Sequence, residues 1–476
     1  MKIISYLLFL FFCLGMYRCS PMKEDATELP DIILCMADDQ GWGDAGYNGH
    51  PVICTPNLDA MATEAFRFDR FYAAAPVCSP TRGSVMTGRH PNRFICFSWG
   101  HVLRPQEMTI AEALKKAGYV TGHFGKWHLG SVRMGSPVNP GASGFDEWFS
   151  APNFFDNNPI LSREGIAVQT EGESSMVTVD AALGFIRKHE NGEKPYFAVI
   201  WFGSPHLPHN AVEEDREIYA DQPENLQHFY GEITGMDRAI GKLRAELKKL
   251  STYENTILWY CSDNGGLPGV GTTGGRDHKG EIYEGGLRVP AILEWPARIR
   301  EHRVTQFPAS TSDIFPTLLD IVGMQVDTCR PLDGISLLPL LNEQTDSRTQ
   351  PIGFWQYPVP GIRTPSAEWM SELLEAQKNG NMTGDSSRLR LEEIQIKTQY
   401  PADTLYGHAA WLDWPWKLHR IQDKSGNIRW ELYRLDQDPQ ESEDLLSAEP
   451  EKSSEMKKNL EEWQRSVVES MNGKDY

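Results

Sequence analysis

Three stretches of this chain are almost wholly apolar and end abruptly in polar residues: "DIILCMADD" (31–39), "KPYFAVIWFGSPH" (194–206) and "NTILWYCSDNGG" (255–266). Runs of this length without polar alternation read as strands buried on both faces. A fourth, "YVTGHFGKWHLG" (119–130), reads as a strand passing into a loop. Between them, apolar residues recur at helical spacing. "TPNLDAMATEAF" (55–66) opens on Thr55-Pro56, and "TIAEALKKAGY" (109–119) is stopped by Gly118. "YGEITGMDRAIGKLRAELKKL" (230–250) is long and amphipathic, and "STSDIFPTLLDIVG" (310–323) ends on a glycine. Strands alternating with helices predict an α/β fold: a large domain, residues 29–345, with a mostly parallel sheet flanked by helices on both faces.

After about residue 345 the pattern changes. "SSRLRLEEIQIK" (386–397) is charged and helix-like, while "PWKLHRIQDKSGNIRWELYRL" (415–435) alternates around a turn at Ser425-Gly426-Asn427. An acidic loop follows, and from Pro450 the tail reads as a charged helix. Residues 346–476 are therefore expected to form a smaller C-terminal α+β subdomain with an antiparallel sheet.

The first twenty residues differ from both. "MKIISYLLFLFFCLGMYRCS" has an early lysine and then an apolar run of signal-peptide length, too short for a comfortable membrane span. Residues 1–20 are read as an export signal, placing the protein in the periplasm or at the cell surface. Membrane attachment is expected only if Cys19 is acylated, and Arg18 stands where such sites usually carry a small residue. Of the eight cysteines, Cys13 and Cys19 belong to the leader. The other six form no C-x-x-C pattern, and Cys35 and Cys261 sit in apolar runs as small hydrophobes. A formal charge of −19, from 65 acidic and 46 basic residues, argues against nucleic acid as a partner. An anionic ligand would have to meet cations gathered in one place.

Sheets of this kind hold ligands beyond the carboxyl ends of their strands, and there this sequence concentrates its polar residues. Asp38, Asp39, Asp263 and Asn264 offer only oxygen, which suits a hard cation such as Ca²⁺ or Mg²⁺ rather than zinc. Arg82, Lys126 and Lys279 are candidate cations, and His128 and His206 a candidate acid and base, with His209 expected in an outer, structural role. Cys78 lies just before Pro80, a helix-starting residue, so its thiol is expected to face a helix N-terminus with a depressed pKa. Thiolates are poor ligands for hard cations. The working group at position 78 is therefore read as something other than a thiol.

Cys78-Ser79-Pro80-Thr81-Arg82 matches the C-x-P-x-R signature of the type I, formylglycine-dependent sulfatases of the alkaline phosphatase superfamily, and "GSVMTGRHP" continues it. The chain also resembles that family at "ADDQGWGDAGYNGH", "TPNLDAMATEAFRFDRFYAA", "GKWHLG", "SPHLPH", "YCSDNGG" and "KGEIYEGGLRVP". The motifs stand in the family's order from about residue 30 to about 446. One departure is Arg276-Asp277-His278 before Lys279, in place of a plainer Arg-Gly-x-Lys run.

The resemblance implies that a maturation enzyme oxidises Cys78 to formylglycine. It implies one Ca²⁺ held by Asp38, Asp39, Asp263, Asn264 and the modified residue 78. Arg82 and Lys126 would hold the modified residue, His128 would hydrogen-bond it, and His206 and Lys279 would contact the sulfate ester. A hydrated aldehyde carries two hydroxyls, one to attack sulfur and one to expel the sulfate, whereas a serine has only the first. The substrate class implied is a sulfate monoester on a carbohydrate. Two alternatives stay open: a phosphodiester or phosphonate monoester hydrolase of the same superfamily, and a non-catalytic lipoprotein that binds sulfated glycan. Trp99, His101, Arg104, Trp355 and Arg276 have the chemistry for contacts to anionic sugars but stand outside the assigned site.

Overall fold

A computed structural model describes residues 28–476, apart from 326–329, 397, 404 and 424. The leader read at 1–20, Cys19 and Cys329 lie outside the described residues.

The large sheet is built from β1 (Asp31–Ala37), β2 (Phe66–Tyr72), β3 (Val120–Lys126), β4 (Glu147–Ala151), β5 (Ile160–Arg163), β6 (Ile166–Gln169), β7 (Tyr196–Trp201), β8 (Thr256–Ser262), β9 (Arg288–Glu294), β10 (Arg303–Thr305) and β11 (Ala309–Ser310). Their order is β10-β2-β9-β8-β1-β7-β3-β4-β5-β6, with β11 beside β2. The centre, β8-β1-β7-β3-β4, is parallel. Both flanks turn antiparallel, at β2-β9-β8 and at β4-β5-β6. The sheet is thus mixed and mostly parallel, as the alternation of elements predicts.

Strand β1 shows why its sequence carries no polar alternation. Ile32, Leu34 and Met36 enter the core on one face, and Ile33, Cys35 and Ala37 enter the core on the other. The first face is covered by α2 (Cys78–Thr87), α3 (Ile110–Lys116) and the helix Ile314–Ile321. The second is covered by α1 (Pro56–Glu64), α4 (Ser174–His189) and the long helix Glu224–Leu247. Cys35 and Cys261 are buried as small hydrophobes.

A second, antiparallel sheet comprises β12 (Ile352–Gln356), β13 (His408–Asp413), β14 (Trp416–Gln422) and β15 (Ile428–Arg434), in that order. The C-terminal helix Pro450–Met471 lays Met456, Leu460, Val467 and Val468 on it. Two features differ from the sequence reading. The described part of the 386–397 stretch, residues 386–396, does not form an α-helix: two single 3₁₀ turns, Ser386–Leu389 and Leu391–Ile394, are separated by Arg390 at φ +58°, a left-handed backbone that an α-helix cannot contain. The helix Ser366–Lys378 also leaves the second sheet and packs Met370 and Leu373 into the core of the large domain.

Candidate active site

Four neighbouring strands deliver the site. β1 hands over to Asp38-Asp39, β3 ends on Lys126 two residues before His128, β7 leads through a loop to His206, and β8 hands over to Asp263-Asn264. Register holds these ends level. Ala37 pairs with Ser262, Asp263 N–H reaches Ala37 O (3.3 Å), and Asp38 N–H reaches Ser204 O (3.0 Å). Helix α2 begins at Cys78 itself, two residues before Pro80, and places Arg82 one turn further in.

The candidate cations and carboxylates interlock. Lys126 Nζ donates to both oxygens of Asp38 (2.9 and 2.7 Å). Arg82 donates to Asp263 Oδ2 through Nε (3.0 Å) and Nη2 (2.6 Å), and its guanidinium lies 5.0 Å from the Trp201 ring centre. Lys279 Nζ donates to both oxygens of Asp39 (2.6 and 2.5 Å). Asp39 N–H donates to Asp263 Oδ1 (3.1 Å), and Asn264 Nδ2 donates to Asp39 Oδ1 (2.9 Å) and Asp263 Oδ1 (2.7 Å). Cys78 Sγ stands 4.0 Å from Asp39 Oδ1, and His206 Nε2 stands 3.7 Å from Asp39 Oδ2. Every residue assigned from sequence is therefore drawn into one cluster, except that His128 makes no hydrogen bond within it.

His128 is informative for that reason. It is 3% exposed, yet neither ring nitrogen has a hydrogen-bond partner, and buried polar atoms are rarely left so. Its φ of +52° and that of Asp39, +71°, are left-handed values that cost roughly 1–3 kcal/mol each and gather at functional sites. Asn264 Oδ1 is a second buried orphan. An amide oxygen without a donor, beside three carboxylates, has the chemistry of a ligand to a hard cation. Asp38, Asp39, Cys78 and His206 each bring a possible ligand atom within 4.8 Å of the others.

Charge states follow from burial and neighbours. Burial raises Asp38 to about 7, against the opposing pull of Lys126. At Asp39 the same burial is overcome by Lys279, His206 and Lys126, which hold its carboxyl well below the usual range. Burial lowers His206 to about 3 and, with Lys126 and Arg82, lowers His128 far below an ordinary histidine. Cys78 corrects the sequence reading. Its pKa is raised to about 11, because burial outweighs Lys126 and Lys279 while Asp263 and Asp39 oppose ionisation. The residue at the start of α2 is therefore no activated thiolate.

Among the five residues noted for sugar contacts, only Trp99 is exposed. Trp355 is core, Arg104 donates to Met471 O (2.9 Å), His101 Nε2 lies 3.1 Å from Pro360 O, and Arg276 lies over Tyr283 at 3.9 Å. His209 Nε2 lies 3.1 Å from Pro205 O. Sequence reasoning missed Phe154, which stacks on His206 at 4.2 Å and 14°. It also missed Ser79, whose Oγ accepts the Gly100 N–H (2.9 Å) and ties the loop after the signature to α2. Neither carries a signal in a single sequence, since each contact is made through space between segments that no local period connects.

The sulfatase family model matches residues 30–324. The chain is 34% identical to N-acetylgalactosamine-6-sulfatase of Canis lupus familiaris over 364 residues, 66% of each chain and so just under two thirds of that relative's length. It is 30% identical to an ulvan-active sulfatase of Formosa agariphila over 327 residues, 64% of each. The crystal structure of Ps i-CgsB in complex with k-i-k-neocarrahexaose superposes with a TM-score of 0.75, covering 92% of this chain and 93% of that one at 24% identity. That last likeness is one of fold.

Proposed function

The chain belongs to the sulfatase family, and from that premise we propose that it hydrolyses sulfate monoesters carried on carbohydrate, as an exported enzyme. Relatives named for N-acetylgalactosamine 6-sulfate and for ulvan support the carbohydrate assignment. The observation that carries the proposal is the meeting of three lysine and arginine cations, two histidines and four oxygen-bearing side chains around the start of α2. A sulfate needs the first set, acid–base transfer the second, and a hard cation the third.

Asp38, Asp39, Asp263 and the orphaned Asn264 oxygen would hold Ca²⁺ together with residue 78, which a maturation enzyme would convert to formylglycine. Hydrated formylglycine would supply an oxygen nucleophile, and a Ca²⁺ held by these oxygens would supply the Lewis acidity for it. The remaining work falls to the chain's own side chains. Lys279 turns from Asp39 toward the sulfate oxygens and neutralises them, with Lys126 and Arg82 holding residue 78 and adding to the same field. His206 is neutral at rest, its ring stacked on Phe154 and its Nδ1 2.5 Å from Leu207 O, so Nε2 would pass a proton to the departing sugar oxygen only after taking one up, a form that the neighbouring Asp39 carboxylate favours against burial. His128, with both nitrogens free, accepts a proton from residue 78 and lets the sulfate depart. Burial favours the neutral, proton-accepting form of His128.

The deciding experiment is the mass of the tryptic peptide Phe71–Arg82, from protein made with a formylglycine-generating enzyme, paired with turnover of an aryl sulfate and an aryl phosphodiester. An aldehyde in place of the thiol, with the sulfate hydrolysed faster, is expected. An intact Cys78 in a protein that still hydrolyses the sulfate would overturn the nucleophile, and a preference for the phosphodiester would overturn the substrate class.

A further inference from the structure

On the His128 side the site continues into a second cleft. His128 and Gly100 form its near wall, and Arg133, Trp369, Arg388 and Arg390 its far wall. Among the described residues no carboxylate lines it, in a chain that carries 19 more acidic than basic residues. Arg133 is the telling member. It is 4% exposed, and its guanidinium donates only to carbonyls, Thr383 O (2.7 Å) and Trp369 O (3.4 Å). Burial and then Arg388 pull its pKa down. The carboxylates of Asp385 and Glu372 offset this only in part and make no direct ion pair with it; a buried cation so weakly paired costs stability, and neutral donors would serve those two carbonyls as well. A site that receives an anion from outside accounts for keeping the charge.

The other two arginines are presented rather than buried. Arg388 stacks over Trp369 at 4.7 Å and is held by Glu372 and by Asp385 (3.4 Å). Arg390, at its left-handed backbone position, comes no nearer than 3.9 Å to Glu393. Trp369, Arg388 and Arg390 all come from the segment that leaves the second sheet to pack on the large domain, beyond the residues matched by the family model. The cleft on the His206 side has the opposite lining, with Asp156, Glu173, Asp215 and Glu232 facing it and no arginine or lysine. Asp215 is paired there with Arg238 and burial pushes Glu232 toward its neutral form, so among the described residues that cleft offers an anion no free cation, whereas the cleft on the His128 side offers arginines.

Resting on the sulfatase reading, we propose that the arginine-lined cleft is a subsite for a second anionic group of the substrate. That group is a carboxylate or a further sulfate ester, on the sugar that carries the scissile sulfate or on its neighbour. The substrate is then a glycan with at least two anionic groups, held in one orientation because the lining of the opposite cleft offers them no lysine or arginine.

The test uses the matured enzyme and three substrates that share one scissile sulfate. One is a monosulfated neutral disaccharide, the second adds another sulfate, and the third replaces the neighbouring sugar with a uronic acid. At least one dianionic substrate is expected to exceed the neutral one about tenfold in kcat/KM, through KM, as one charge-assisted contact remote from the chemistry would give. The arm that gains identifies the anion. Arg390→Gln, at a half-buried position, should shrink that preference several-fold, with thermal unfolding unchanged. Equal kcat/KM on all three, or an undiminished preference in Arg390→Gln and in Arg388→Gln, refutes the subsite alone. No turnover of any sulfate by protein with a verified aldehyde refutes the sulfatase reading and the subsite with it.

Discussion

Lys417→Met puts the coupling between the two sheets to a quantitative test. Lys417, on β14, is fully buried, with Nζ 3.0 Å from Glu284 Oε1 and 3.1 Å from Glu441 Oε1. Glu284 also accepts from Tyr72 OH (3.1 Å), and Glu441 accepts from the Glu284 N–H (2.7 Å) while meeting His419 Nε2 (2.8 Å). Burial alone would lower the lysine's pKa, but Glu441 and Glu284 more than reverse this, so the ammonium is the resident form. Methionine matches its volume and leaves two carboxylates facing each other out of water. Breaking a buried pair from one side costs about 3–5 kcal/mol, whereas a half-exposed pair such as Lys452–Asp413 (2.7 Å) contributes about 1 kcal/mol or less. Glu284 follows Lys279 on the same loop, so kcat should fall as well. Urea unfolding of the two variants Lys417→Met and Lys452→Met, followed by near-UV signal, makes the comparison directly. A loss below about 1 kcal/mol for Lys417→Met would show that the network is slack and that the second sheet does not brace the Lys279 loop.

Three further outcomes are expected. His206→Asn should slow hydrolysis of a sugar sulfate by about 10²–10⁴-fold but an aryl sulfate far less, since a phenolate departs without a proton; equal losses on both would remove His206 from that role. Chelation should lower both the activity and the Tm of the matured protein, with Ca²⁺ restoring them, and Asn264→Leu should need more Ca²⁺ for the same Tm gain; a Tm indifferent to Ca²⁺ contradicts the oxygen cage. His90 is buried and its pKa is lowered to about 3. The unfolded chain takes up its proton near pH 6.5 and the native state does not, so stability falls with pH between those values. That amounts to about 2 kcal/mol from pH 7 to pH 5, and a His90→Gln variant with an unchanged slope would disprove it.

Much of this site is legible in the sequence, because a parallel sheet converts chain order into spatial order. A strand buried on both faces is a solid apolar run, its end is where polarity resumes, and Asp38, Lys126, His206 and Asp263 all stand at such ends. Helix α2 was legible through Pro80, although the helix begins two residues earlier. The charge state of Cys78 was not, since it depends on how deep the helix start lies, and depth is a property of what covers it. The antiparallel flank β4-β5-β6 is built from short strands, two of them only four residues long, too short for a period to register. The arginine cleft was least legible. Arg133 and Arg388 lie 255 positions apart, and the segment bearing Arg388 and Arg390 reads as a charged helix until the left-handed backbone at Arg390 is seen.

Cys78 is 1% exposed beneath residues from four strands and the Lys279 loop. If residue 78 is converted as proposed, the oxidising enzyme would have to arrive before the fold does, and chain order sets the interval. About 200 residues separate Cys78 from Lys279, so at the usual ~5–20 residues per second of synthesis the thiol is made roughly 10–40 s before the last side chain that encloses it. Residue 78 comes early in a chain whose enclosing parts come late, and that delay would give the proposed modifying enzyme time to act.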